Sequence, residues 1–178
     1  MISLVNLVTE ILSSLTLIGD ILLVFIVYAI LFRKKLKNNF LNKNILVFTF
    51  VIALIATLGS LFYSEIAGYI PCKLCWYQRI FMYPLPVLLG IALLKKDNKI
   101  SRYVIPLNII GGIISIYHYS TQILNNSVIC SAESAACASK IFFSYGYITI
   151  PVMALTAFAL IIFLSYFANR SERRSKDE

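Results

Sequence analysis

Five apolar stretches, near residues 11–32, 45–63, 76–94, 103–123 and 148–167, alternate with short segments in which the polar and basic residues collect. Each is close to the roughly 20 residues that a helix needs to cross the hydrocarbon of a bilayer. No period-two alternation points to strands, and a backbone in lipid must satisfy its own hydrogen bonds, so the pattern predicts five spanning helices. Pro84 and Pro86 fall inside the third stretch, where the missing N–H groups predict a kink just below Arg79 and room for a pocket. Gly59 and the pair Gly111-Gly112 read as points of close helix approach.

Composition supports this reading. The chain is 60% hydrophobic and only 13% charged over 178 residues, the balance of a polytopic all-α membrane protein and not of a soluble core. Its net charge of +8 raises the question of nucleic-acid binding. The distribution answers it: five basic residues lie in 33–43, four in 95–102 and four in the tail (Arg170, Arg173, Arg174, Lys176). Those clusters follow the first, third and fifth stretches, as the positive-inside rule requires, so no nucleic-acid partner is expected. The topology that satisfies them puts the N-terminus outside, the basic segments and tail inside, and loops 64–75 and 124–147 outside. No Lys or Arg precedes Arg33, so the first stretch reads as a retained helix, not a cleaved secretory signal. The charged tail, residues 169–178, is expected to be disordered.

All four cysteines fall in the two outer loops, on the side where disulfides persist. The first pair lies in Pro71-Cys72-Lys73-Leu74-Cys75-Trp76-Tyr77-Gln78-Arg79, at the start of the third helix. Two thiols at this spacing close into a small, easily exchanged disulfide ring, and the positive end of the helix favours a thiolate on Cys75. Arg79, one turn on, faces the same way. A guanidinium at this depth needs a polar partner, and a small acceptor with carbonyl oxygens, such as a quinone, would supply one. Alternatively Arg79 is an interfacial anchor beside Trp76 and Tyr77.

The second pair, Cys130 and Cys137, sits among small polar residues where a soluble partner could reach it. Two other readings stay open: a structural staple of the loop, or a zinc site made of all four thiolates. His118, the only histidine, lies towards the outer end of the fourth stretch. It suits a hydrogen bond to a quinone oxygen, a proton relay, or a plain interhelical bond. Asp20, inside the first stretch, is most simply bonded to a neighbouring helix. No flavin, nicotinamide or haem motif is visible, so a lipid-soluble quinone is the natural electron sink.

The run Cys72 to Arg79 resembles the signature of the DsbB/BdbC family of membrane disulfide oxidoreductases, down to the arginine four residues after the second cysteine. The resemblance covers about residues 45–168 in the family's order: helix, Cys-x-x-Cys loop, two helices, second cysteine loop, helix. It implies a DsbB-like four-helix transmembrane core, with residues 1–32 as an extra N-terminal helix and 169–178 as a cytoplasmic tail. It also implies a function in the bacterial cytoplasmic membrane: reoxidation of an extracytoplasmic thioredoxin-fold oxidase, DsbA- or BdbD-like, at the expense of a quinone, menaquinone or ubiquinone. On that pattern a Cys130–Cys137 disulfide meets the reduced partner, with Cys130 favoured for the mixed disulfide, and electrons pass to Cys72 and Cys75. Arg79 and His118 then correspond to the quinone site. The close spacing of the second pair is nearer to the BdbC type than to the proteobacterial type. The vitamin K epoxide reductase family has similar helices but places its loop cysteines before its Cys-x-x-Cys, the reverse of the order here.

Overall fold

Helix formation follows the apolar pattern closely. A computed structural model describes residues 2–32, 39–95, 100–124 and 144–177. Cys130 and Cys137, and the pairing expected of them, lie outside the described residues. The helices are α1 (Ile2–Leu31), α2 (Asn39–Leu61), α3 (Lys73–Met82), α4 (Pro84–Lys95), α5 (Ser101–Leu124) and α6 (Ile150–Asp177), with a π-helical turn (Phe62–Ile66) prolonging α2. Among the described residues, four stretches are long and apolar enough to cross a membrane: Ser3–Tyr28, Asn44–Ile66, Lys73–Lys95 and Ile150–Asn169. The remaining expected span, α5, has the length, 24 residues, but is more polar. It buries Asn108, Ser115, His118, Thr121 and Gln122. A helix this polar belongs inside a bundle, and α5 packs chiefly along α6. The protein is a multi-pass membrane protein.

Two boundaries differ from expectation, and the third span breaks where its prolines predict. The first helix starts at Ile2, not near residue 11, because Leu4, Val5, Leu7 and Val8 carry the apolar run past Glu10. The third span is two helices, broken at Tyr83. Pro84 and Pro86 have no N–H for the carbonyls of Ile80 and Met82, while Tyr83 N–H still bonds Arg79 O at 2.9 Å. The sixth helix runs through Asp177 instead of giving way to a disordered tail. The segment after Asn169 has no Gly or Pro and is rich in the helix formers Glu, Arg and Lys.

The core forms where α2, α4, α5 and α6 meet, around Leu46, Ala53, Leu85, Leu89, Val104, Phe158 and Ile161. At one end Ile45, at the start of α2, packs with Leu164 and Ala168 of α6. At the other end the start of α3 meets the last turns of α5. The helices therefore alternate in direction, and the Cys72–Cys75 turn lies at the bundle end opposite the ends of α1, α4 and α6 that adjoin the basic segments.

The extra helix α1 is tied to this core along its length. Thr9 accepts a bond from Tyr63 OH (3.4 Å), Leu12 packs over Gly59, and Ser14 meets Tyr145 OH (3.3 Å). Gly19 lets the helix approach α6, where a Cβ would stand 3.0 Å from Thr156. Asp20 accepts bonds on both oxygens, from Thr156 Oγ1 at 2.6 Å and Tyr147 OH at 2.8 Å. A carboxyl in an apolar span is costly unless it is partnered in this way, so its role is to dock α1.

The closest approach in the core is at Gly111, where a Cβ would lie 2.5 Å from Cε1 of the fully buried Phe158 ring. Alanine there gains roughly 1 kcal/mol of helix propensity but forces a core ring to move, an overpacking cost of about 1–3 kcal/mol. Gly111→Ala is expected to lower the thermal midpoint in detergent. Gly112→Ala, whose Cβ would be 3.9 Å from Phe158 Cβ, is expected to keep or raise it.

Candidate functional site

The chain turns into α3 through Gly68, at φ +71°, and Pro71, which biases the residue before it away from the helical region. Cys72 is the N-cap, in extended conformation, and its carbonyl accepts the first helical bond from Trp76 N–H at 3.1 Å. Cys75 is the third residue of the helix. The backbone therefore brings the two thiols together, Sγ to Sγ at 3.5 Å, beside the unpaired amides of a helix N-terminus.

The two sulfurs are not equivalent. Cys72 is 5% exposed, packed with Leu74, Ile114 and Tyr117, while Cys75 is half-buried. The Cys72 thiol donates to Cys75 Sγ, and that bond, with burial second, pushes its pKa up to about 11. At neutral pH Cys72 is accordingly the protonated member of the pair.

His118 comes in from α5 and is 2% exposed. Its Nε2 lies 3.7 Å from Cys72 Sγ, and its Nδ1 lies 3.5 Å from the carboxamide nitrogen of Gln78, also buried. The histidine thus meets the first cysteine, not Arg79. Thr121 Oγ1 bonds the His118 carbonyl at 2.7 Å and fixes that turn of α5.

Arg79 lies one turn beyond Cys75, in the seam between α3 and α2. Its Nε donates to Ser60 Oγ (3.1 Å) and a terminal nitrogen donates to the Ser60 carbonyl (3.3 Å). The guanidinium carbon stands 5.4 Å from the centre of the Trp76 ring and 6.0 Å from that of Tyr83. Trp76 itself is 55% exposed on the outer face of the bundle. A cation held between two aromatic rings, one of them open to the surroundings, is a setting for a planar ring that carries hydrogen-bond acceptors. The arginine is held by α2 instead of snorkelling along the surface.

Two of these residues are not singled out by the sequence. Gln78 is visible only as a polar residue inside the Cys-x-x-Cys run, and Ser60 has no signal at all beyond its neighbour Gly59. Cys72, Cys75, His118 and Arg79 are brought to one end of the bundle, in two adjoining clusters: Cys72, Cys75, His118 and Gln78 on one side, Arg79, Trp76, Tyr83 and Ser60 on the other.

Comparison with known proteins bears on what this arrangement is for. Residues 42–168 match the family described as disulfide bond formation protein DsbB. The chain belongs to the DsbB family. It is a membrane disulfide oxidoreductase. It is similar to disulfide bond formation protein C of Bacillus subtilis (strain 168), with 48% identity over 125 residues, covering 67% of this chain and 91% of the relative. It is also similar to the SPbeta prophage-derived disulfide bond formation protein B of the same strain, with 48% identity over 121 residues, 67% of this chain and 81% of the relative. The probable disulfide formation protein C 1 of Bacillus cereus is 45% identical over 123 residues, 66% of this chain and 86% of that protein. No solved structure matches. All four cysteines, Arg79 and His118 fall within the DsbB region, while α1 lies outside it.

Proposed function

We propose that the protein reoxidises an extracytoplasmic thioredoxin-fold oxidase and passes the electrons to a quinone of the bacterial cytoplasmic membrane, with its N-terminus outside and its C-terminus inside. The observation that carries this reading is the paired thiols of Cys72 and Cys75 at a helix N-terminus, one turn from a guanidinium lying between aromatic rings.

The sequence of exchanges balances in atoms and electrons. The reduced partner's dithiol attacks a Cys130–Cys137 disulfide, leaving the partner oxidised and the loop pair reduced. The loop dithiol then attacks a Cys72–Cys75 disulfide and is itself reclosed, so that two electrons and two protons now reside on Cys72 and Cys75. A quinone is the acceptor substrate that takes two electrons and two protons, and their transfer recloses Cys72–Cys75. Within this chain, Cys75 gives up its proton to become the attacking thiolate, and His118 Nε2 stands where it can take the proton of Cys72 as the disulfide closes, so that both protons leave with the electron pair. Arg79 offers donors and positive charge to an acceptor oxygen, and Trp76 and Tyr83 wall the planar ring.

Direction follows from potential. A DsbA-like partner, at roughly −120 mV, is recharged only if a more oxidising acceptor drains the membrane pair. The test is direct: purified protein, a reduced thioredoxin-fold oxidase and a quinone, with quinol followed by absorbance and the partner's thiols counted. The expected result is one quinol per partner disulfide formed. Quinol formation that does not depend on the partner, or partner oxidation without quinol, would overturn the proposal.

A further inference from the structure

We propose that the reduced Cys72–Cys75 pair and His118 form a binding site for a thiophilic divalent cation, Zn²⁺, that is present only in the dithiol state. One ligand atom from each of the three residues lies within 4.8 Å of the others. The two separations from Cys72 fit a common ion. Around a tetrahedral Zn²⁺ with Zn–S of about 2.3 Å and Zn–N of about 2.0–2.1 Å, two sulfurs stand about 3.8 Å apart and a sulfur and a nitrogen about 3.5 Å apart. The observed values are 3.5 Å for Cys72 Sγ to Cys75 Sγ and 3.7 Å for Cys72 Sγ to His118 Nε2.

This donor set differs from the four-thiolate site considered from the sequence, because it uses a histidine from α5 and needs neither loop cysteine. The far nitrogen of the histidine also has a partner. Ligation through Nε2 leaves Nδ1 as the N–H donor, and the Gln78 carboxamide, 3.5 Å away, accepts that bond when its oxygen faces the ring. Two thiolates and one neutral imidazole cancel the charge of the ion, which suits a site lined by Leu74, Ile114 and Tyr117. Binding displaces the two thiol protons, and the half-buried Cys75 side leaves a fourth position for water. Closing the disulfide removes both anionic ligands, so the ion and the disulfide exclude one another. Metal would thus hold the pair reduced and stop turnover. That consequence rests on the electron path proposed above, whereas the binding itself does not.

The test uses the full chain in detergent with Cys130→Ser and Cys137→Ser, reduced and freed of reductant, titrated with Co²⁺ and then Zn²⁺. The expected result is one Co²⁺ per chain with the sulfur-to-cobalt charge-transfer and visible bands of a tetrahedral site, displaced by Zn²⁺ and absent after oxidation. Gln78→Leu should weaken binding roughly 10–100-fold, the usual effect of removing the group that orients a metal-binding histidine, and His118→Gln by more. Cys75→Ser, at the more exposed ligand, should abolish the tetrahedral spectrum. No stoichiometric binding by reduced, fully helical protein overturns the proposal, as does binding that survives oxidation or is indifferent to both His118→Gln and Cys75→Ser. Quinol assays on the unsubstituted chain are read separately, so a failed electron path leaves the cobalt result standing.

Discussion

In the Cys75→Ser protein, quinol formation driven by a reduced thioredoxin-fold partner is expected to fall on the order of 10³-fold or more, to the uncatalysed rate, as removal of an essential nucleophile does elsewhere. Each exchange needs one sulfur to attack and the other to leave, and a serine oxygen can do neither at neutral pH. Cys72→Ser should lose turnover equally. The two variants differ in their chemistry towards a thiol reagent. The Cys72 thiol, with its pKa near 11, remains protonated at pH 8 and is buried, so the reduced, loop-substituted protein is expected to be alkylated first at Cys75. Cys72 should react appreciably only as the pH approaches 11. Alanine at position 75 removes the largest cause of that shift, the bond to the Cys75 sulfur, so Cys72 should become more reactive in Cys75→Ala than it is beside the native cysteine. Mass spectrometry of the alkylated protein reads both effects. Turnover in either serine variant would refute the relay, and earlier alkylation of Cys72 would refute the assignment of charge within the pair.

How much of this could be read from the sequence depends on the range of the interactions involved. Local features were legible. The Cys-x-x-Cys pair sits at a helix start as expected, and Pro84 and Pro86 do interrupt the third span, since both effects act within a turn or two of backbone. Charge runs located the ends of α1 and α4, since they depend on what cannot enter lipid, but not the end of α6, which continues through the charged tail. Features decided by packing were less legible. Asp20 could be read as an acid needing a neighbour, but its donors, Tyr147 and Thr156, are more than a hundred residues away. His118 could be read as an embedded imidazole, yet whether it faced a sulfur or Arg79 depended on how α5 rotates against α3. Ser60 was invisible for the same reason, as its importance comes from α2 passing beside Arg79. At the chain's start, the apolar residues before Glu10 carry the first helix beyond the stretch expected to begin near residue 11.

Arg79→Ala is expected to raise the apparent KM for quinone about 10- to 100-fold, with a much smaller change in kcat, since a hydrogen bond from a charged group contributes about 1.5–3 kcal/mol to holding its acceptor. The difficulty is that Arg79 also joins helices. Its bonds to Ser60 Oγ and Ser60 O tie α3 to α2, so alanine at 79 loosens the bundle as well as removing the cation. Ser60→Ala separates the two effects. It deletes the hydroxyl acceptor but leaves the guanidinium between Trp76 and Tyr83, with the Ser60 backbone carbonyl still in reach. That variant loses the hydroxyl's bonds to Arg79 Nε and to Tyr83 OH and should lose about 1–3 kcal/mol of stability, two ordinary hydrogen bonds, while its KM for quinone stays within about threefold of the native value. Arg79→Lys should fall between native and alanine, because an ammonium keeps the charge but lacks the planar fork. If Arg79→Ala leaves the KM unchanged, or if Ser60→Ala raises it as much, the arginine serves to join α2 and α3 and the acceptor oxygen is held elsewhere.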